Sequence, residues 1–396
     1  MAEQLLAKKT VRDVPTTGRT VLVRCDFNVP MDDGHVKDDT RLRAHMPTIE
    51  YLIGQRARIV LCSHLGRPKG RTPGLSLRPI AGVLQDLLQR PVQFCPDTIG
   101  PRARRAADGL LPGGILLLEN TRFYPEEERN DPAFSRALAA LGDLYVDDAF
   151  SAAHRAHAST AGVAAFLPAV AGLLMEQEIA MLSRLLDPER PFVAIVGGAK
   201  VSDKLGVLEG LLQRVDKLLV GGGMANTFLA ALGHRMGSSL VETGHLRAAS
   251  DIIAKAKERG VDLLLPVDLV VADYFLAEPD RRTVDVGQVP PDWIAMDIGP
   301  VTAERFAVAL RDAKTIFWNG PLGVAEWPNF ANGTLQVARA IAECKAFSVV
   351  GGGDSIAALN RLGLAGRIGH ISTGGGASLE FLEGKQLPGI AALQDK

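Results

Sequence analysis

Two groups of residues have side chains and spacings suited to chemistry, and both stand where apolar runs give way to polar residues. The first is cationic and polar: Asp26-Phe27-Asn28, Arg41, His64-Leu65-Gly66-Arg67, Arg122, and the run His154-Arg155-Ala156-His157. Arg41, Arg67, Arg122 and Arg155 offer planar guanidinium forks that match carboxylate and phosphate oxygens. A small anion carrying both groups would use several such donors, leaving Asp26 and Asn28 for hydroxyls. Taken singly, each residue has a plainer role: Asp26 and Asn28 in turns, His64 in a packed core, Arg122 and Arg155 on a solvated surface. Their recurrence at the ends of successive runs favours a shared anion site. His154 and His157 could share a metal by spacing, but packing explains such a pair more often.

The second group is glycine-rich: Gly197-Gly198-Ala199-Lys200-Val201-Ser202-Asp203-Lys204, Gly221-Gly222-Gly223, Gly351-Gly352-Gly353-Asp354-Ser355 and Gly374-Gly375-Gly376-Ala377-Ser378. Glycines between a strand and a helix let backbone N–H groups approach phosphate oxygens, and the helix N-terminus adds a favourable partial charge. Lys200 and Lys204 are spaced to share one face of a helix opening after Gly198, from which both would point at phosphates. Asp354 stands where a carboxylate could reach a nucleotide-bound Mg²⁺, a role compatible with capping a helix. Neither the G-x-x-x-x-G-K-[ST] loop nor the protein-kinase signature set is present.

The elements that must position these residues follow from the runs themselves. VLVRCDF (21–27), RIVLCSH (58–64), ILLLEN (115–120), DLYVDDAF (143–150), FVAIVGG (192–198), KLLVGGG (217–223), TIFWNG (315–320) and FSVVGGG (347–353) alternate with longer helical patterns. That alternation predicts an α/β fold with mostly parallel sheets covered by helices on both faces. In such sheets ligands collect at the carboxyl ends of strands, where the polar and glycine residues fall. Apolar spacing predicts a helix over 173–186, ended by Asp187-Pro188. We therefore expect a first domain over 1–172, a joining helix and hinge over 173–189, a second domain over 190–380, and a tail over 381–396 packed back on the first domain.

Composition bounds the function classes. At 396 residues the chain is long for one core, and 47% hydrophobic against 22% charged residues describes a globular protein. A net charge of −1 supplies no whole-molecule field toward nucleic acid or an anionic membrane. Residues 1–172 nevertheless carry 22 Lys and Arg against 19 Asp and Glu, the remainder 22 against 26. The four cysteines, Cys25, Cys62, Cys95 and Cys344, have no paired spacing, which argues against a disulfide framework or zinc site and for a reducing compartment. The opening MAEQLLAKKT lacks an apolar signal-peptide core, so no export signal is expected. The uncharged run 159–175 is short for a membrane span and interrupted by Pro168, and reads as buried structure.

Together RCDFNVP (24–30), SHLGRP (63–68), AHRAHAS (153–159), GGAKVSDK (197–204), GGGMANTF (221–228), WNGP (318–321), GGGDS (351–355) and STGGGAS (372–378) resemble the phosphoglycerate kinase family, in order along nearly the whole chain. The resemblance implies two Rossmann-like, doubly wound domains, the first binding 3-phosphoglycerate or 1,3-bisphosphoglycerate and the second ADP or ATP. It implies substrate contacts from Asp26, Phe27, Asn28, Arg41, His64, Leu65, Gly66, Arg67, Arg122 and Arg155. It implies nucleotide contacts from Lys204, Gly299, Asn319, Glu326, Gly352, Gly353, Asp354 and Ser355, with Mg²⁺ at Asp354. Arg41, Lys200 and the Gly376 amide would face the phosphoryl group in transit. The family often has an aromatic residue before the glutamate, where this chain has Ala325.

The implied activity is reversible transfer between 1,3-bisphosphoglycerate and Mg-ADP, giving 3-phosphoglycerate and Mg-ATP, in glycolysis and gluconeogenesis. The resemblance further implies a cytoplasmic monomer that closes its domains and takes no nucleic acid or membrane partner. A carboxylate acceptor titrates near pH ~4, so no general base is needed and positioning with charge neutralisation must do the work. A nicotinamide-dependent dehydrogenase is disfavoured because no G-x-G-x-x-G opens a helix with an acidic residue following. A non-catalytic relative would be expected to lose Arg41, Lys200 or Asp354, and all are present.

Overall fold

The structure, a computed structural model, describes residues 7–396. The chain divides into two compact units, one running up to Ser183 and taking in Gln386–Lys396, the other comprising Arg184–Lys385. It therefore passes between them twice, after Ser183 and after Lys385.

In the first unit the apolar runs become short strands: β1 (Thr20–Arg24), β4 (Arg58–Cys62), β5 (Val92–Phe94), β6 (Ile115–Leu117), β7 (Leu144–Asp147) and β8 (Ala169–Ala171). A small antiparallel pair, β2 (Met31–Asp32) and β3 (His35–Val36), lies outside that sheet. The order is β5-β6-β4-β1-β7-β8 and every pairing is parallel. Residues 21–24, 59–62, 115–117 and 144–147 are buried, as continuous runs in a sheet covered on both faces must be. Helices Thr40–Gly54 and Arg78–Leu88 return the chain between parallel strands, and Leu42, Ile49, Leu52, Ile80 and Leu84 pack on Val21, Val23, Ile59 and Leu61.

The second unit repeats the plan with β9 (Phe192–Val196), β10 (Lys217–Val220), β11 (Asp262–Leu264), β15 (Thr315–Asn319), β16 (Phe347–Gly351) and β17 (His370–Ile371). Its parallel order, β11-β10-β9-β15-β16-β17, is that of the doubly wound dinucleotide fold. An antiparallel sheet of β12 (Asp268–Ala272), β13 (Arg281–Asp285) and β14 (Ile294–Ile298) is added to it. Trp318, Ile195, Val193 and Leu219 meet Phe306, Val337 and Ile341 in the core.

Each strand stops before the polar end of its run, so Cys25-Asp26-Phe27, Ser63-His64, Gly197-Gly198 and Gly352-Gly353 all lie just beyond carboxyl ends. The helix expected over 173–186 runs Leu173–Ser183 and belongs to the first unit. Residues 386–396 also join that unit: Gly389 N–H donates to Ala153 C=O at 2.8 Å and Gln394 N–H to Ala169 C=O at 2.9 Å. Among the described residues no helix is long and apolar enough to cross a membrane.

Candidate active site

In the first unit the sheet reverses its direction of winding between β1 and β7, and the loop after β1 carries Asp26 into that crevice. Arg41, on the first turn of helix Thr40–Gly54, donates from Nη1 to Asp26 Oδ2 at 2.7 Å and to Asn28 C=O at 3.3 Å. Ser151 Oγ donates to the same Asp26 oxygen. Asn28 Oδ1 accepts from Gly66 N–H at 2.8 Å, and Gly66 C=O accepts from Arg122 Nη1 at 2.8 Å. Arg41, Asp26, Asn28, Gly66 and Arg122, distant in sequence, thus form one hydrogen-bonded chain. Phe27 and Leu65 are buried beside it as packing.

The electrostatics are set by burial and by excess guanidinium. Burial opposes ionisation of Asp26, but Arg41 and the Ser151 hydroxyl outweigh it and hold the pKa at about 2. Burial and the adjacent Arg24 charge push His64 well below its ordinary value. His64 Nδ1 accepts from Arg24 Nη2 at 2.9 Å, so the hydrogen-bond network assigns the proton to Nε2. His157 is lowered to about 4 by burial and by Arg122, Arg24 and Arg155. Arg122 is buried, and its Nε lies 3.2 Å from Glu128 Oε1 without an aligned hydrogen-bond acceptor. A buried charged donor in that condition is what an anionic ligand relieves. Arg155 is half-buried, its Nε donating to His154 Nε2 at 3.1 Å, while Arg67 is exposed and joins no part of this chain.

In the second unit the corresponding crevice lies between β9 and β15, and its floor is glycine. Gly197 N–H donates to Asn319 C=O at 2.9 Å, Gly198 N–H to Pro321 C=O at 2.9 Å, and Gly222 N–H to Leu322 C=O at 3.0 Å. The main chains approach too closely for side chains: at Gly320, φ 95°, a Cβ would lie 2.4 Å from Gly197 O. A cavity of about 350 Å³ opens there, lined by Gly198, Gly222, Gly223, Asp354 and Glu326 and by the apolar Leu269, Phe275, Met296 and Val324. Gly352, φ 91°, precedes helix Gly353–Arg361, whose first turn holds exposed Asp354 and buried Ser355. Ser355 Oγ accepts from Gly320 N–H at 2.9 Å, tying that helix to the β15 end. Gly376 opens helix Gly376–Leu382, where initial amides have no intrahelical acceptor.

One expectation needs correction. Lys200 and Lys204 do not share a helix face, because the helix begins only at Leu205. Glu242 takes the Ser202 N–H at 3.0 Å and its hydroxyl at 2.6 Å, holding the segment in turns. Lys200 is exposed, while Lys204 Nζ donates to Asn319 Oδ1 and burial lowers its pKa to about 8. Gly299 follows Ile298 of the cavity lining and caps helix Pro300–Leu310 against Asp268, whose carboxylate would lie 2.2 Å from any Cβ there. Ala325 is not among the residues that line the cavity.

Sequence reasoning passed over Arg24, Ser151, Asn120 and His45. Arg24 is fully buried in β1, its Nε on Ser159 Oγ at 2.8 Å, with Glu127 bonded to that serine. The signal was available: a charge inside an apolar strand run must be paired. Asn120 takes Leu65 N–H at 3.2 Å and gives to Leu65 C=O at 2.8 Å, fixing the loop that carries His64. Among the described residues no group of three His, Cys, Asp or Glu side chains could hold a metal ion. Asp354, an exposed carboxylate in a lining that also holds Asp297 and Glu326, fits Mg²⁺ carried in on phosphates, an ion that keeps several waters and takes one or two protein carboxylates.

The comparisons with known proteins agree with one another. The family model described as phosphoglycerate kinase matches residues 11–385. A phosphoglycerate kinase of Moorella thermoacetica is 57% identical over 393 residues, covering 99% of this chain and 100% of its own. The structure of phosphoglycerate kinase from Coxiella burnetii is 42% identical with a TM-score of 0.88, covering 97% of this chain and 98% of that one. That of Pyrococcus horikoshii is 37% identical with a TM-score of 0.87, covering 98% of each. A match of this extent, on a chain with these two crevices, means that it belongs to the phosphoglycerate kinase family, phosphotransferases whose acceptor is a carboxyl group.

Proposed function

We propose that this chain transfers a phosphoryl group reversibly between 1,3-bisphosphoglycerate and Mg-ADP, giving 3-phosphoglycerate and Mg-ATP. The observation that carries this reading is Arg122: a buried guanidinium with an unaligned Nε, joined through Gly66 and Asn28 to Arg41 and Asp26. Such a chain suits a ligand with a phosphate, a carboxylate and a hydroxyl. Arg122, Arg155, Arg67 and the His64 Nε2–H would bind the anionic groups, and Asp26 and Asn28 the hydroxyl.

In the second unit, the glycine amides and the helix at Gly353 would hold nucleotide phosphates, the apolar wall of the cavity the base, and Glu326 the ribose hydroxyls. Lys204 and Asn319 would meet the phosphates, and Asp354 would hold the Mg²⁺. When bound, that ion would neutralise phosphate charge and orient the nucleotide. Arg41, Lys200 and the Gly376 amide would stabilise charge on the equatorial oxygens in transit. The two ligands bind different units and in-line transfer needs reacting atoms about 3–3.5 Å apart, so turnover is proposed to require closure. An assay coupling ATP formation to a reporter, supplied with ADP and 1,3-bisphosphoglycerate, should show magnesium-dependent turnover. No ATP formation by folded protein would sink the proposal.

A further inference from the structure

Helix Thr40–Gly54 carries Arg41 and, four residues on and so on the same face, a histidine that the reading above leaves without a role. His45 is 1% exposed, too enclosed to touch a ligand, and its ring meets Phe27 edge-on at 5.6 Å between centroids. Its Nε2 accepts from the Asp26 main-chain N–H at 2.9 Å. A nitrogen that accepts carries no proton, so the Nδ1–H must donate, and it lies 2.7 Å from Asp148 Oδ2. Asp148 is fully buried, its other oxygen accepting from Thr48 Oγ1 at 2.8 Å and from Leu174 N–H at 3.0 Å. Thr48 Oγ1 in turn accepts from Leu173 N–H at 2.9 Å. Two amides that open helix Leu173–Ser183 are thereby satisfied, as its first turn requires.

The Asp26 peptide is thus anchored, through the imidazole and a carboxylate, to the N-terminus of a helix far along the chain. The Asp26 carboxylate holds Arg41 Nη1 at 2.7 Å and Asn28 N–H at 3.1 Å. Rotation of the Asp26 peptide would therefore move Arg41 and Asn28 together. We infer that His45 is a positioning residue for substrate binding, an acceptor with a fixed tautomer that sets the Asp26 main chain and, through it, the Arg41–Asn28 pair. This inference rests on the function proposed above.

The test separates the two ring nitrogens. A glutamine places its amide oxygen near the site of Nε2, keeping an acceptor for Asp26 N–H while losing the bond to Asp148. An asparagine places its amide N–H near the site of Nδ1, keeping Asp148 paired while losing Asp26. Truncation to alanine is avoided because it abandons both buried partners at once. His45→Asn should raise KM for 3-phosphoglycerate about tenfold, with KM for ATP within about twofold of wild type, the loss expected for one buried hydrogen bond. His45→Gln should stay within about threefold on both. Hydrogen exchange at the Asp26 amide should accelerate in His45→Asn and stay slow in His45→Gln. A purely structural histidine would let both variants lose thermal stability with KM unmoved or moved equally. Equal KM in the two variants, or unchanged Asp26 exchange in His45→Asn, overturns the inference. A wild-type protein with no turnover would instead sink the functional reading, and the Asp26 amide would then decide the role of His45 alone.

Discussion

Charge placed where it develops is the residue-scale problem, because an acceptor carboxylate is ionised already and a phosphoryl group in transit spreads negative charge over its oxygens. Arg41→Ala and Lys200→Ala should each lower kcat by roughly 10²–10³, the scale of losing one such donor, with the fold intact. Steady-state kinetics beside circular dichroism would check this, and near wild-type kcat in either variant would remove that residue from the proposal. Burial also sets a charge with no evident part in catalysis. Asp147, fully buried at the end of β7, accepts Ala149 N–H at 3.0 Å while its second oxygen has no hydrogen-bond partner. Burial, only partly offset by that bond, raises its pKa from 3.8 to about 7. The native state therefore keeps a proton that the unfolded chain gives up. Its contribution is fully present below pH about 4, is lost as pH rises toward 7, and is level above that. Asp147→Asn, which keeps the acceptor, should match wild type in urea melts near pH 4 and exceed it near pH 8 by on the order of 4 kcal/mol. The same stability difference at both pH values would refute this assignment. Asp26, Asn28 and Arg122 could be picked out because they close apolar runs. His45 could not, since nothing in DDTRLRAHMPT reveals that its ring meets Asp26 on one side and Asp148 on the other.

At the scale of elements, the expected alternation of strands and helices yields two parallel sheets, because runs such as FVAIV and TIFWN are buried throughout and fit no other setting. Strands β5, β8, β11 and β17 have no readable run in the sequence, being only two or three residues long. The antiparallel sheet β12–β14 did too: RRTVD in β13 is mostly exposed and has no apolar period. The turn at 199–204 was misread because its geometry depends on Glu242, which no local pattern exposes. Glycines were more informative, since tight main-chain packing admits no alternative residue. Gly320 stands at φ 95° with Gly197 O where its Cβ would be, so Gly320→Ala should cost on the order of 2–4 kcal/mol. It should also weaken ATP binding more than 3-phosphoglycerate binding, because the strain falls on the glycine floor of the cavity proposed to hold the nucleotide. Calorimetric titration of each ligand into the folded variant would measure this, and equal weakening of both would count against the cavity's assignment.

For the whole molecule the decisive quantity is how the two units respond to ligands. The residues proposed to bind the anion belong to the unit that runs up to Ser183 and takes in Gln386–Lys396, and the glycine turns to the unit spanning Arg184–Lys385. Transfer in line between ligands held by separate units demands a shared, water-poor space, since an acyl phosphate left open to solvent is exposed to hydrolysis. The chain crosses between units only after Ser183 and after Lys385, and those short crossings are where a few backbone torsions would absorb a closing motion. Either ligand alone contributes contacts within its own unit, whereas closure needs free energy gained only when both are present. Small-angle scattering should therefore give the smallest radius of gyration for the ternary complex, with the free protein the largest and each binary complex between. ADP with 3-phosphoglycerate serves as a ternary state that cannot turn over. Identical scattering curves for all four states, in protein shown to be active, would rule closure out and require transfer without a change in the arrangement of the units.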